Sequence, residues 1–184
     1  VVKSDMHFTI FRPSMLFGEG DEFINAMAGL VRLFPLVPVI GPGRNRLQPL
    51  AADDLARCIA ITLGREDLKG KTIEIGGTER LSYSELVTEV AKAMDKRRLR
   101  VHLPVWAMYV AAAIGQGILP RSPITTEQIK TLSIRSVAEM GEVERLFGFT
   151  PKPLEGNIDF VKSVGFLDSI QMLFGAMPGR IRDH

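Results

Sequence analysis

The sequence predicts an α/β protein, with parallel strands joined by crossovers and a mostly helical remainder. Three observations carry that prediction. Residues 8–11 and 72–75 are short β-branched or aromatic runs that read as buried strands. Helical apolar spacing lies between them, so the run 8–75 suits parallel strands with crossovers. After Gly76-Gly77 the apolar residues recur mainly at helical spacing.

Composition narrows the function classes. Hydrophobic residues make up 46% of the 184 and charged residues 24%, which is a globular balance. Net charge is +2, from 23 Lys and Arg against 21 Asp and Glu, too even to predict a nucleic-acid partner. Cys58 is the single cysteine, so no internal disulfide can form and a cytoplasmic location is the expectation. No apolar run reaches the roughly 18 residues of a spanning helix without Pro or Gly. Residues 1–7 read as the tail of a helix, so the chain is expected to be part of a larger protein.

The elements follow in order. Pro13 cannot donate to a ladder and is expected to stop the first strand at Arg12. Gly18 and Gly20 open a loop at its carboxyl end. Phe23, Met27, Leu30, Val31 and Phe34 predict a helix ending before Pro35. Pro35, Pro38, Gly41, Pro42 and Gly43 predict a rigid, turn-rich passage around 37–40. A loop with Arg44 and Arg46 leads to a short strand over 47–50. A helix over 53–63 is expected next, with Leu55, Ile59 and Leu63 facing the core and Asp53 and Asp54 at its positive end.

Ser82 and Glu85 then form an S-x-x-E capping box, with Leu81 and Leu86 as its hydrophobic staple. Leu86, Val90 and Met94 build the buried stripe of that helix. A basic cluster follows: Lys92, Lys96, Arg97, Arg98 and Arg100. It leads to a strand over 100–103 and an almost uncharged helix over 105–114. Thr125 and Gln128 repeat the capping-box pattern. Gly148 ends a short helix containing Val143, Leu146 and Phe147. A further helix is expected from Leu154, then an amphipathic tail over 166–177.

The stretch HFTIFRPSMLFGEGD organises the chain, because ligands of open α/β sheets gather at the carboxyl ends of strands. FTIFRPSMLFGEGDEF, RLQPLAADDLARCI, TIEIGG with LSYSELV, and FGFTPKPLEGNI occur in that order. The set resembles the second half of a short-chain dehydrogenase of the extended or atypical branch, which holds sugar-nucleotide epimerases and dehydratases. Within that branch the motif order is most similar to relatives of the dehydrogenase-like accessory subunit of respiratory complex I. The resemblance implies the C-terminal part of a Rossmann-like doubly wound sheet plus a mostly helical substrate-binding subdomain. Residues 1–22 and 47–77 would close the dinucleotide-binding sheet, and 23–46 with 78–184 would form the substrate side. It also implies NAD or NADP in the intact parent, completed by an N-terminal Rossmann half.

Two family features are absent from this sequence. There is no G-x-x-G-x-x-G turn, and neither tyrosine supplies the Tyr-x-x-x-Lys pair of catalytic members. Tyr83 is followed four positions on by Val87, and Tyr109 by Ala113. Tight cofactor binding by this chain alone is therefore not expected, and no catalytic residue is nominated.

Candidate site residues come mostly from the resemblance. It places Pro13, Ser14, Met15 and Leu16 beside the nicotinamide ring; the plain reading is a turn after a strand. It places Asp21 and Asn25 on the substrate, whereas Asp21 also suits a helix N-cap. Arg44 and Arg46 would grip a phosphate or lie solvated in their loop, and Gln48 would line the same pocket. Asp53 and Asp54 point about 100° apart on a helix, so capping is expected rather than paired acid/base work. His7, His102 and His184 lack metal-ligand spacing, and no metal is expected. Cys58 reads as a small buried hydrophobe.

The 105–114 helix is open to two readings. It carries Trp106 and Tyr109 behind the basic cluster, a pattern of interfacial membrane helices. A helix apolar all round is equally suited to a core. A membrane surface or a protein partner through 96–119 is thus one expectation, with a location peripheral to the inner face of a membrane. For the whole chain the expected function is the nicotinamide-side wall and substrate pocket of an NAD(P)-binding epimerase, dehydratase or reductase-like protein acting on a small molecule. The alternatives are a non-catalytic assembly subunit and a peripheral membrane protein acting on a lipophilic substrate.

Overall fold

The computed structural model describes residues 7–40, 46–104, 106, 137–174, 176 and 178–182. Arg44, the 105–114 helix apart from Trp106, and the Thr125–Gln128 box lie outside the described residues. In chain order the elements are β1 (Ile10–Pro13), β2 (Leu16–Phe17), α1 (Glu22–Leu33), β3 (Leu36–Ile40), β4 (Arg46–Leu47), β5 (Leu50–Ala51) and α2 (Ala52–Thr62). A 3-10 turn at Glu66–Leu68 precedes β6 (Thr72–Ile75), β7 (Leu81–Ser82), α3 (Tyr83–Ala93) and β8 (Leu99–Leu103). Then come α4 (Glu142–Phe147), a 3-10 turn at Asp159–Ser163, α5 (Phe166–Leu173) and α6 (Gly179–Arg182).

The chain forms two compact units. The first is Val1–Phe17, Leu47–Arg80 and Ser136–Leu154; the second is Gly18–Arg46, Leu81–Arg135 and Glu155–His184. The stretch around α4, grouped from sequence with the helical part, thus belongs with the first unit's strands.

In the first unit β1 and β6 pair in parallel, Ile10 opposite Thr72 through Pro13 opposite Ile75. β2 and β5 pair the same way, Leu16 opposite Leu50. Pro13 does not stop β1 at Arg12. Ile10 and Ser14 donate to the carbonyls of Lys71 and Ile75, each at 2.9 Å. Donors toward β6 therefore come from even-numbered residues, and the proline nitrogen is on the other side, where no ladder bond is lost. The core joins Leu50, Cys58, Leu68, Ile73, Ile75, Val143 and Phe147, and each large side chain fully buried there is worth about 1.5–3 kcal/mol.

Three expectations for this unit are corrected. The strand over 47–50 is two short strands broken at Gln48-Pro49. Ile59 and Leu63 do not face the core: they are 44% and 87% exposed, while Cys58 and Asp54 are buried. The wetter apolar residues sit on the outer face because α4 and the sheet claim the side of Cys58, Leu55 and Ile61. Nor does Asp54 cap α2. Its Oδ2 accepts the Lys152 N–H at 2.7 Å, and Asp53 pairs with the Lys152 ammonium at 3.1 Å.

The second unit packs α1 against α5 and α3. Ile24, Met27, Ala28 and Val31 are the buried stripe of α1, whereas Phe34, expected in it, is 39% exposed beyond the helix end. Gly29 faces α5, where an added Cβ would meet the Ser169 Cα at 3.5 Å, an ordinary packing contact. The passage around 37–40 is the strand β3, paired in parallel with β8 from Leu36 opposite Leu99 to Ile40 opposite Leu103. Val37 and Val39 are fully buried and Leu36 is exposed, an alternation that the three prolines and two glycines nearby obscure. The helix expected from Leu154 is instead turns followed by the 3-10 turn, and the tail over 166–177 is helical as far as Leu173.

α3 starts as its sequence predicts. Glu85 N–H donates to Ser82 Oγ at 3.2 Å, and Glu85 Oε2 accepts the Ser82 N–H at 2.6 Å. Those bonds from Ser82, then Arg46 nearby, hold the Glu85 carboxyl below its ordinary pKa. Ser82→Ala is expected to lower stability by about 1 kcal/mol, read as a shifted urea midpoint at constant slope. An unshifted midpoint would show that the box holds nothing.

Candidate functional site

The parallel pair of the first unit ends in one place. Beyond Pro13 and Ile75 the chain turns at Ser14-Met15 on one side and at Gly76-Gly77 on the other. Gln48-Pro49 fills the space between them. The Ser14 hydroxyl donates to the Gln48 carbonyl, and the Leu50 N–H donates to the Met15 carbonyl at 2.8 Å.

Gln48 is wholly buried. Its Nε2 donates to the Gly77 carbonyl at 2.8 Å and meets the Met140 sulfur at 3.4 Å, and its Oε1 accepts the Ala138 N–H at 2.9 Å. The approach is closest at the glycines. A Cβ on Gly77 would fall 1.7 Å from the Pro49 carbonyl oxygen, and one on Gly76 would fall 2.5 Å from Gln48 Cδ. These glycines therefore serve backbone packing inside the chain. A cavity of about 160 Å³ opens beside them, lined by Thr78, Met140, Glu144 and Pro151.

The segment over 138–154 is tied to the rest of the first unit by polar groups whose part the sequence did not reveal. Arg80 Nη2 donates to the Ala138 carbonyl at 2.7 Å, and Arg65 Nη1 to the Leu146 carbonyl at 3.0 Å. Glu79 Oε2 accepts the Leu154 N–H at 2.9 Å. All bond backbone groups far along the chain, and no local spacing signals that. The only sequence hint is the polar run Thr78-Glu79-Arg80 after β6 and its two glycines, and it says nothing of Arg65.

The other nominated residues belong to the second unit. Asp21 is the N-cap of α1, with its oxygens accepting the Phe23 and Ile24 N–H groups at 3.2 and 2.6 Å. Burial raises its carboxyl above the usual range, and those two bonds partly offset the rise. Asn25 is buried and its Nδ2 donates to the carbonyls of Glu19 and Asp21 at 2.8 and 2.7 Å, which closes the loop before α1. Arg46 pairs with Glu85 at 3.0 Å.

Two buried groups, one in each unit, are held protonated. Burial pushes the Cys58 thiol up to about 11, with Asp54 adding to the rise, and Tyr83 is pushed up to about 12 by burial. Neither ionises near neutrality. Among the described residues no cluster of three or more His, Cys, Asp or Glu could hold a metal. No helix among them is long and apolar enough to cross a membrane.

These parallel strands with their crossovers form a Rossmann-like fold, and the solved structures that superpose on it are epimerases and dehydratases. A nucleoside-diphosphate-sugar epimerase from Staphylococcus aureus superposes with a TM-score of 0.60 at 15% identity, over 86% of this chain and 53% of that one. The UDP-glucuronic acid 4-epimerase from Bacillus cereus, solved with UDP-glucuronic acid and NAD, superposes at 0.56 and 17% identity, over 85% of this chain and 46% of its own.

Sequence homology is more specific than the fold. The homologues are subunits named NADH dehydrogenase (ubiquinone) 1 alpha subcomplex subunit 9, mitochondrial; the protein of that name from Rattus norvegicus is 31% identical over 152 residues. That match takes in 79% of this chain and 39% of the relative, so the chain spans about two fifths of the relative's length. No model of a known protein family matches the chain. The relative's name says mitochondrial, and nothing in these matches supports the cytoplasmic expectation.

Proposed function

We propose that this chain is the C-terminal portion of an NAD(P)-binding, epimerase/dehydratase-like protein and forms the nicotinamide-side wall of its cofactor site. One observation carries the reading: β1 and β6 end together, and Ser14-Met15 leaves that edge on a backbone fixed by Gln48 and Leu50. Such an edge is where ligands of parallel sheets lie. Pro13 to Leu16 fit the nicotinamide side of a dinucleotide. The glycines at the edge do not fit a pyrophosphate, because the protein's own Gln48 and Pro49 occupy the space beside them. A bound NAD(P) would supply hydride transfer.

The substrate side of the proposal rests on Arg46, which would reach an anionic substrate group by exchanging Glu85 for it. Asp21 and Asn25 would act through the loop they hold. A second reading is an assembly subunit that binds a dinucleotide without turnover, favoured by the named function of the homologues.

The test uses the protein of the complete reading frame beside the chain alone, titrated with NADH and NADPH by calorimetry. Met15→Trp is the variant, since the Ser14 hydroxyl is engaged by Gln48 and the Met15 side chain makes no hydrogen bond among the described residues. The full protein is expected to bind one dinucleotide, and the variant to bind it at least tenfold more weakly while keeping its fold. The chain alone is expected to show no low-micromolar binding. Unchanged affinity in a folded variant sinks the assignment.

A further inference from the structure

The basic cluster is not scattered over the surface. Lys92, Lys96, Arg97, Arg98 and Arg100 line one groove of about 470 Å³ in the second unit, together with Val87, Thr88, Ala91 and Asp95. The ordinary explanation of cations here is the end of α3, whose dipole is negative. That end is already closed by backbone. Asp95, at a left-handed φ of 55°, donates its N–H to the Lys92 carbonyl at 3.0 Å, and the Lys96 N–H reaches the Ala91 carbonyl at 2.8 Å. This is the paired-bond helix ending that normally takes glycine, so the last carbonyls of α3 need no side-chain cation.

The cations divide into two kinds. Lys92 is neutralised by Glu155 and Glu89. Arg98 and Arg100 are positioned: Arg98 Nε donates to the Val31 carbonyl at 2.6 Å, and Arg100 Nη1 donates to Thr88 Oγ1 at 2.8 Å and Ser84 Oγ at 3.1 Å. Both keep Nη2 without a protein partner among the described residues. Among those residues Lys96 and Arg97 have no ion pair, and Asp95 is the one carboxylate that lines the groove.

We propose that this groove binds a phosphate group. Two guanidinium forks held in place by neutral oxygens have already lost the freedom that binding would otherwise take away. Four cations facing one carboxylate exceed the charge of a carboxylate ligand. A phosphate carries up to two charges and several acceptor oxygens, and it accepts paired N–H donors from arginine. The site is built from residues of the second unit alone and shares none with the proposed dinucleotide edge, so it stands without that reading. The phosphate has two sources, a free phosphate or the headgroup of an anionic lipid. Trp106, 70% exposed a few residues after β8, suits the second, since Trp favours membrane interfaces.

The experiment titrates the 184-residue chain with inorganic phosphate by calorimetry. In parallel it co-sediments the chain with vesicles of phosphatidylcholine, alone and with phosphatidic acid. The variants are Lys96→Gln with Arg97→Gln, whose side chains make no hydrogen bond or ion pair among the described residues, and Arg100→Lys, which keeps the charge but loses the planar fork. Binding to either phosphate probe is expected, at least tenfold weaker in both variants. It should be lost as salt rises from about 0.1 M to about 1 M, where the screening length falls from roughly 10 Å to 3 Å. Binding to inorganic phosphate assigns a free ligand; binding only to phosphatidic acid vesicles assigns a lipid headgroup. Failure of both probes at low salt, or equal binding by a folded variant, overturns the proposal.

Discussion

Gly77→Ala is expected to unfold the first unit. The added methyl would stand 1.7 Å from the Pro49 carbonyl oxygen and 2.8 Å from its carbon, and both atoms are backbone. Neither side has slack. Pro49 follows Gln48, whose buried amide bonds the Gly77 carbonyl itself and the Ala138 N–H. Relief requires moving the end of β6 away from Gln48, which breaks those bonds and opens the core around Ile75. A cost above about 4 kcal/mol is expected, in the range reserved for backbone strain and overpacking. That is a large share of the roughly 5–15 kcal/mol that stabilises a typical domain. The control is Gly64→Ala, where a Cβ meets nothing within 4 Å and φ is not left-handed; it should be neutral or stabilise slightly. The two midpoints in urea check the claim, and equal midpoints would refute the close approach.

Gln48→Leu has the next largest expected effect, about 3–5 kcal/mol. Leucine has similar bulk but leaves the Gly77 carbonyl and the Ala138 N–H buried without these partners, at about 1–3 kcal/mol each. It also frees the segment that leads into α4, so Val143 and Phe147 should gain hydrogen exchange before the rest of the core. Gln48→Glu sharpens the test through pH. A carboxyl buried at this position is held protonated, because only its neutral form can still donate to the Gly77 carbonyl. Its folded pKa then lies above its unfolded one. Stability is fully present below the unfolded pKa and falls as pH rises through the folded one. The wild type carries an amide there, so this position adds no such loss to that of the other groups, and the variant is compared with the wild type at each pH. A Gln48→Glu protein equally stable at pH 4 and pH 8 would mean that Gln48 is not buried.

Local chemistry was legible wherever a residue acts on its own neighbours. The capping box of Ser82 and Glu85, the N-cap of Asp21, the strand over 72–75, the helix ended by Gly148 and the burial of Cys58 all follow from residues within a few positions. So does the class of fold, because alternation of strand and helical spacing leaves few ways to cover a parallel sheet. The resemblance of the ordered motifs pointed to the homologues for the same reason: it uses order along the chain, which a sequence states directly.

What only the tertiary structure decided concerns partners far apart in sequence. Gln48 could be nominated for a pocket because it follows a loop of arginines; its amide turned out to join Gly77 to Ala138, 29 and 90 positions away. Asp54 lies in the first turn of α2, as its spacing suggests, and there also holds the Lys152 backbone 98 positions away. Ile59 and Leu63 keep helical register with Leu55 yet face outward, because which side of α2 is buried depends on where α4 packs. Pro13 extends β1 because its missing donor points away from β6. Periodicity states that a helix has an apolar side or that a strand can pair. Which side is covered, and by what, is set by the free energy of docking segments that the chain brings together only when it folds.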